Sequence, residues 1–526
     1  MMNLIQFLTP YLSVSVQQQL VTALDNTADI TTEISGLVTD NRDVQTGDCF
    51  IAMAGITHHG EKFIDDAIAR GASAILVETD TKSVDIRQNK QKTNIPIIAI
   101  SDLKQQLNSL LIDFYDSSSS AFDMRLLGVT GTNGKSSITR FVAQMSHGLH
   151  QPAGLMGTLG FGTWPTIVES KNTTPELAVL LRQFALMQNE GAEIVAMEVS
   201  SHGIEQKRIE GLTFDSAVFA NLTQDHLDYH GDMESYFAIK RKLFLGADLK
   251  YAIINIDDPY GQRLLADNDI HAEKISYGFS ASADVRVLSW QMNPTSIDAV
   301  IKSPWGDASF SINMVGDFNL ANVLAAITLL AVEHKFDFEQ IIASIQCITP
   351  APGRMQTYSK ASAVPVVVDF AHTPDALKNV LSTLAKQVEG KLAVVFGCGG
   401  DRDNDKRPLM AEIAQNISDV VCFTADNPRN ENLDDIILGM QSGLVAENPT
   451  PIYIEKDRTT AVQKMISQLT DNDLLLIAGK GHEAYQDIAG QKIVYSDESV
   501  LLALGYQDNA LNTEKQMKIN INEEAL

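Results

Sequence analysis

Cysteine is scarce in this 526-residue chain, and long apolar runs are missing from it. The four cysteines, Cys49, Cys347, Cys398 and Cys422, stand far apart with no Cys-x-x-Cys pair. That spacing indicates neither a disulfide framework nor a zinc site. No apolar stretch approaches the ~20 residues that span a bilayer. Met1 to Leu12 lacks the basic flank and cleavage pattern of a secretory signal. No membrane association is expected, and the expected compartment is the cytoplasm. Positive charge is also short: 40 Lys and Arg face 66 Asp and Glu, for a formal net charge of −26. Such a balance argues against a nucleic-acid partner, because phosphate backbones are held by basic surfaces. If the ligands of so acidic a chain are themselves anionic, its few basic residues should gather where those ligands sit.

What is present is the composition of a globular protein, 44% hydrophobic and 20% charged, in a chain too long for one core. Three blocks separate. The first covers residues 1–117 and ends in the polar run Ser117-Ser118-Ser119-Ser120, a candidate linker. Its runs Ala72–Val77 and Ile95–Ile100 predict buried strands beside helical stretches, with Pro96 at the very start of its run. The second block, 118–347, opens on the strand Leu126–Val129 and continues with Glu193–Met197, Ser216–Ala220 and Tyr251–Ile254. The third, 348–506, follows the punctuation Thr349-Pro350-Ala351-Pro352-Gly353 and carries the runs Val364–Asp369, Leu392–Gly397, Asp419–Thr424 and Leu474–Ala478. Strands alternating with helices imply an α/β fold with doubly wound, mostly parallel sheets. The tail, 507–526, is polar and expected to be loosely attached.

The richest local signal is Leu127-Gly128-Val129 running into Thr130-Gly131-Thr132-Asn133-Gly134-Lys135-Ser136-Ser137 and then a helical pattern from Ile138 to Gln144. This is the layout of a phosphate cradle. Gly131 and Gly134 let the backbone N–H groups converge, Lys135 supplies a point charge, and Ser136 offers a hydroxyl to Mg²⁺. The spacing departs from the strict P-loop, which places a glycine where Val129 stands. ATP or GTP is the expected ligand.

Other polar groups sit at strand ends. Ile194-Val195-Ala196-Met197 ends at Glu198, where a Mg²⁺ ligand would sit beside a phosphate loop. After it come Ser200, Gln206 and Arg208, and the strand Ala217–Ala220 leads to Asn221 and to Asp225-His226-Leu227-Asp228. A strand-end histidine such as His226 is more often structural than a metal ligand. The helical stretch Ser235 to Phe244 carries Lys240, Arg241 and Lys242, which read at first as a solvated face. In the third block four loops follow strands: Asp369-Phe370-Ala371-His372, Cys398-Gly399-Gly400-Asp401-Arg402, Asp426-Asn427-Pro428-Arg429 and Gly479-Lys480-Gly481-His482-Glu483. The second of these fails as a dinucleotide fingerprint, because Arg402 takes the last glycine position. In an open parallel sheet such loops share one edge, and so one site.

Taken in order, Gly-Thr-Asn-Gly-Lys-Ser, Asn172-Thr173-Thr174-Pro175, Glu198 to Gly203, Asp225 to Asp228, Gly316-Asp317-Phe318-Asn319-Leu320-Ala321-Asn322, Pro352-Gly353-Arg354-Met355 and the third-block loops resemble the Mur ligases. The similarity is narrower with the members that add the third amino acid to UDP-MurNAc-L-Ala-D-Glu. It spans nearly the whole chain apart from the extreme N-terminus and the tail. The resemblance implies a UDP-binding N-terminal domain, a central P-loop-type ATPase domain and a Rossmann-like C-terminal domain that brings the amino acid. It implies an ATP- and Mg²⁺-dependent, amide-forming ligase of peptidoglycan precursor synthesis, working through an acyl phosphate and expected to be monomeric.

Carried over by position, Gly131 to Ser137 with Asn319, Asn322 and Arg354 would surround ATP. Thr173, Thr174, Ser200, Gln206 and Arg208 would hold the UDP-MurNAc-dipeptide, and Thr39, Asn41, Ile56, Thr57 and His58 its uridine end. Asn41 replaces the family's usual serine. Ser136, Glu198 and His226 would serve Mg²⁺, together with Lys240, which matches the lysine that is carbamylated in this family. Asp426, Asn427, Pro428 and Arg429, with Arg402, Gly479 and Glu483, would hold meso-diaminopimelate. Arg429 and Arg402 would clamp the second carboxylate that lysine lacks. His372 or Asp369 would take the proton of the attacking amine. Phe370 and Gln356 replace a usual Tyr and a common Glu near the site. A folylpolyglutamate synthase would need neither the first block nor Asp-Asn-Pro-Arg. A regulatory relative without catalysis would be expected to have lost Lys135, Glu198 or Lys240, and a P-loop motor to keep the strict loop spacing.

Overall fold

The computed structural model describes residues 2–25, 33–55, 59–79, 83–90, 93–118, 123–170, 172–293, 296–333 and 335–509. They form two compact units, one from 1–126, 152–195 and 202–213, the other from 127–151, 196–201 and 214–526. All the long sheets are α/β in character.

The first unit holds a five-stranded sheet in the order Gly36–Val38, Asp48–Ala52, Ala74–Glu78, Asn94–Ile100, Val84–Gln88. The first four are parallel and only the last pair is antiparallel. β-Branched runs such as Ala74-Ile75-Leu76-Val77 are buried on both faces, as inner parallel strands must be. Pro96 is not at the start of its strand but is its third residue, opposite Ile86 of the edge strand Val84–Gln88. Ser117 and Ser118 close the helix Leu103–Ser118, and Ser119 and Ser120 of the candidate linker lie outside the described residues. Asp48 is fully buried and accepts Arg182 Nη1 at 2.8 Å and the Gln45 backbone N–H at 2.8 Å. That pair ties the strand Asp48–Ala52 to the helix Leu177–Asn189.

Most strands of the second unit lie in two sheets, beside the two-stranded sheet of Tyr485–Ile488 and Gln491–Val494. Eight of the ten strands of one run in the order Ile194–Glu198, Arg125–Thr130, Ser216–Phe219, Tyr251–Asn255, Glu273–Gly278, Val285–Met292, Ile297–Ser303, Gly306–Ile312. Its last three strands form an antiparallel meander that strand–helix alternation in the sequence does not announce. The helix Asp317–Val332 is buried nearly all round, as its continuous apolar sequence requires. The other sheet has the order Ile452–Ile454, Val420–Phe423, Leu392–Phe396, Leu474–Ala478, Val366–Asp369, Gln356–Ser359, Gln507–Asp508. Its first five strands are parallel, so the four polar loops that follow Asp369, Phe396, Phe423 and Ala478 leave the same edge. The tail begins differently from expectation. Gln507 and Asp508 pair antiparallel with Ser359 and Tyr358, and Asp508 accepts Gln356 Nε2 at 2.8 Å. Residues 510–526 lie outside the described residues.

Asp48→Ala is expected to destabilise the first unit by about 2–3 kcal/mol, read as a lowered urea midpoint at unchanged slope. The loss stays below the 3–5 kcal/mol of a fully buried pair, because Arg182 keeps 21% of its side chain in water.

Candidate active site

The strand Arg125–Thr130 delivers the chain to a turn that reverses directly into the helix Lys135–Gly148. Gly134 has φ +89°, and a Cβ there would lie 2.5 Å from Asn322 Oδ1, so only glycine fits beside the buried helix Asp317–Val332. The turn is held open by backbone and amide contacts: Asn221 Oδ1 accepts the Asn133 N–H at 2.8 Å, and Asn221 Nδ2 donates to the Asn133 carbonyl at 3.1 Å. Asn319 is committed elsewhere, its Nδ2 donating to the Val315 carbonyl at 2.8 Å.

Two ammonium groups converge on one carbonyl. Lys135 Nζ donates to the oxygens of Gly131 and Thr132, both at 2.9 Å, and Lys240 Nζ donates to Gly131 O at 3.0 Å. Lys240 is 1% exposed and lies 4.7 Å above the Tyr236 ring, so the solvated-face reading fails for it. Arg241 instead pairs with Asp267 and Asp269, and Lys242 is exposed. Burial, reinforced by the charge of Lys135, drives the Lys240 amine well below the usual lysine range. Burial also lowers Lys135, with Glu198 and Asp225 opposing. Glu198, at the end of its strand, is 1% exposed. These residues suit a polyphosphate: a glycine-walled cradle, two clustered amines and the Arg354 guanidinium. Hard oxygen donors from Glu198 and Ser136 suit Mg²⁺, whereas Lys240 suits it only as a carbamate. Among the described residues no three His, Cys, Asp or Glu side chains form a metal cluster by themselves.

Beside the cradle, Asp225 joins the two parts of the unit. Its oxygens lie 3.4 Å from His226 Nε2, 3.7 Å from His372 Nε2 and 3.6 Å from Lys406 Nζ. Burial would raise its pKa, but the neighbouring His372 ring and the Lys406 and His226 charges override it and hold the carboxyl well below the usual range. His226 sits at φ +55° with its side chain 36% exposed. His230, not singled out from sequence, hydrogen-bonds with Ser201 Oγ at 2.9 Å and stacks on Tyr236. Asp369 is no free base: its two oxygens accept the Met355 and Ala371 N–H groups, each at 2.7 Å. His372 keeps Nδ1 on the Phe370 carbonyl at 2.8 Å, leaving Nε2 turned toward Asp225. Arg354 stacks on Phe370 at 4.6 Å.

The remaining third-block loops close a second constellation. Asp426 and Asn427 are buried, and Arg429 adopts φ +51°, with Nη1 donating to the Gly400 carbonyl at 2.7 Å. A Cβ on Gly399 would lie 2.9 Å from Arg429 Nη1 and 3.8 Å from Arg402 Cγ, so both arginines flank that glycine. Lys480, fully buried, donates to Asn427 Oδ1 at 3.0 Å and Glu483 Oε2 at 2.9 Å; Asn427 Nδ2 donates to the same Glu483 oxygen at 2.9 Å. Lys480 carries no role in the sequence reading, although its i,i+3 spacing to Glu483 was the available signal. Gly479, at φ +109°, opens this loop, and Pro428 turns the other.

The residues expected to hold the nucleotide-sugar dipeptide fall partly in the first unit. There Arg208 Nη1 donates to the Thr174 carbonyl at 2.7 Å and Nη2 to Gln206 Oε1 at 2.6 Å, and Thr173 Oγ1 lies 2.9 Å from Thr158 Oγ1. Asn41 donates to Asp66 at 2.7 Å, and Thr39 is half-buried nearby in sequence. Ser200 belongs to the second unit. Ile56, Thr57 and His58 lie outside the described residues.

His482 packs against Phe370 and near Arg354, and burial with the arginine's charge lowers its pKa from 6.5 to about 4. The unfolded chain therefore binds a proton that the folded site refuses between those values. Stability contributed by neutral His482 is complete above pH 6.5 and is lost as pH falls toward 4. Screening at a half-buried ring leaves about 1–3 kcal/mol. His482→Gln is expected to flatten that part of the stability–pH curve, measured by urea midpoints at successive pH values.

Three family models match the chain: "Mur ligase family, catalytic domain" over residues 33–115, "Mur ligase middle domain" over 129–330 and "Mur ligase, glutamate ligase domain" over 353–481. The chain is 40% identical over 473 residues to the UDP-N-acetylmuramoyl-L-alanyl-D-glutamate–2,6-diaminopimelate ligase of Neisseria meningitidis serogroup A, covering 88% of this chain and 93% of that one. A solved structure of a ligase of the same name superposes with a TM-score of 0.59 at 32% identity, over 89% of this chain and 94% of the other. The MurF ligase of Thermotoga maritima in complex with ADP shares the fold, with a TM-score of 0.62 at 18% identity over 86% and 95% of the two chains. The chain belongs to the Mur ligase family.

Proposed function

We propose that the protein is the ATP-dependent ligase that joins meso-2,6-diaminopimelate to UDP-MurNAc-L-Ala-D-Glu in peptidoglycan precursor synthesis. The observation that carries this reading is the pairing of two constellations in one unit, on a chain 40% identical to a ligase of that name. One is the Lys135–Lys240 cradle; the other is the arginine-bearing loop Asp426–Arg429 beside Glu483. Residues 1–117 would bind the uridine end, 118–347 ATP, and 348–506 the amino acid, with the chain acting as a cytoplasmic monomer.

A carboxylate resists attack by an amine, so the D-Glu side-chain carboxylate first takes the γ-phosphoryl group of ATP to become an acyl phosphate. Lys135 and the N–H groups of residues 131–137 neutralise and orient the transferring group. Mg²⁺, held by Glu198, His226, Ser136 and Lys240 as its carbamate, would supply further charge neutralisation there. The chain's own contribution to that carbamate is burial, which with the Lys135 charge favours the unprotonated amine, the form that adds CO₂. Arg354 stacks on Phe370, which keeps its charge near the phosphates. The amine of diaminopimelate then displaces phosphate. His372, whose Nδ1 is anchored, has Nε2 placed to receive the proton, and Asp225 stabilises the resulting cation. Arg429 and Arg402 meet the distal carboxylate, and Glu483, already oriented by Lys480 and Asn427, meets the distal ammonium.

Phosphate release measured with ATP, Mg²⁺ and UDP-MurNAc-L-Ala-D-Glu is expected to depend on meso-diaminopimelate and to be slight with L-lysine. Arg429→Ala is expected to lower kcat/KM for diaminopimelate by about 10- to 100-fold while sparing the slow use of lysine. Turnover confined to lysine would overturn the acceptor assignment and keep the ligase. Absence of acceptor-dependent release with either compound would overturn both.

A further inference from the structure

The two loops assigned to the acceptor leave strands that do not touch. Val420–Phe423 and Leu474–Ala478 are separated by Leu392–Phe396, so about 10 Å and a whole strand lie between them. No ladder joins the ends of these two strands; farther along, the Arg429 N–H donates to the Asp487 carbonyl at 2.9 Å, the Ala489 N–H donates to the Arg429 carbonyl at 2.7 Å, and Lys480 and Asn427 meet Glu483. At the strand ends themselves a guanidinium bridges the gap. Arg458, the first residue of the helix Arg458–Gln468 and fully buried, donates from Nη1 to the Ala425 carbonyl at 3.3 Å and from Nη2 to the Ala478 carbonyl at 2.9 Å. These are the residues immediately before Asp426 and Gly479.

The fork is itself held. Asp497, also fully buried, accepts Nε at 2.8 Å and Nη2 at 2.9 Å, and takes the Tyr495 hydroxyl at 2.8 Å. The Tyr495 N–H in turn donates to the Ala484 carbonyl at 3.1 Å, next to Glu483. A buried ion pair is a weak device for stability, since well-packed apolar residues would serve as well. What a guanidinium adds is a rigid planar fork with donors aimed in several directions, which no apolar residue and no lysine reproduces.

We infer that Arg458 is a positioning residue for the acceptor: by joining the Ala425 and Ala478 carbonyls, it sets the distance between the two strand ends from which the arginine-bearing loop and the Glu483 loop leave. Affinity for diaminopimelate and its preference over lysine then depend on a residue that touches neither. The inference rests on the acceptor assignment made above.

The test measures KM and kcat for meso-diaminopimelate, L-lysine and ATP in the full-length protein, with melting temperatures, for wild type, Arg458→Lys and Tyr495→Phe. Arg458→Lys keeps the charge and loses the fork. It is expected to raise KM for diaminopimelate about tenfold or more and to narrow the preference over lysine, with KM for ATP within about twofold of wild type. Tyr495→Phe removes one hydroxyl from Asp497 and is expected to shift the same constants in the same direction by about two- to fivefold. Should Arg458→Lys fail to fold, Tyr495→Phe decides alone. Unchanged diaminopimelate constants in a folded variant, or equal losses for ATP and diaminopimelate, would overturn the inference. Wild-type protein that ignores diaminopimelate would overturn the acceptor assignment itself, and the inference with it.

Discussion

Two amines on the Gly131 carbonyl are the constraint around which the second unit is arranged. Lys135 and Lys240 lie where like charges and burial both disfavour protonation, a condition tolerable only where anions or an uncharged amine complete the site. Glu198, Asp225 and Arg354 are spaced around that demand. The glycine at position 134 follows from it as well, because the cradle must close against Asn322 without a Cβ between them. So does the aromatic wall, where Tyr236 covers Lys240 and stacks with His230.

The third-block sheet answers a different demand, that of holding several polar loops at one edge while its core stays apolar. Its inner strands are buried on both faces by Val, Leu, Ile and Phe, and the polar loops follow their carboxyl ends. Polar groups at this edge are used in pairs. Asp369 captures two backbone N–H groups, Lys480 joins Asn427 to Glu483, and Arg458 bridges strand ends that share no ladder. Each arrangement satisfies a buried charge by fixing loop geometry, so the same hydrogen bonds that prevent an unpaired charge also orient the groups that face the substrate.

The family assignment and this geometry agree at the level of motifs but add different things. The matched family segments cover the three blocks, residues 33–115, 129–330 and 353–481. The geometry shows that Asp369 spends both oxygens on the backbone, whereas His372 keeps one nitrogen available. It also brings Arg429 Nη1 and Arg402 Cγ close to the same glycine, Gly399.

The phosphate loop, the buried strands and the strand-end loops were legible in the sequence, because each is written in a contiguous run whose local chemistry is self-sufficient. Apolar β-branched stretches can only be inner strands, and Gly131 to Ser136 can only be a tight turn into a helix. The strands Leu392–Phe396 and Leu474–Ala478 fall within one or two residues of expectation for that reason. Lys240 and Arg458 were not legible from composition or spacing. A basic residue on a helix reads as solvated until its neighbours are known, and burial is a property of distant segments packing together. The bridging of Ala425 to Ala478 depends on strand order, which no local pattern encodes, and the attachment of Gln507–Asp508 depends on an open sheet edge at Gln356–Ser359. By itself, the sequence determined the elements and the chemistry each carries. Only the tertiary structure decided which charges meet and which are buried, since Coulomb and desolvation energies depend on distances that close only when the chain is folded.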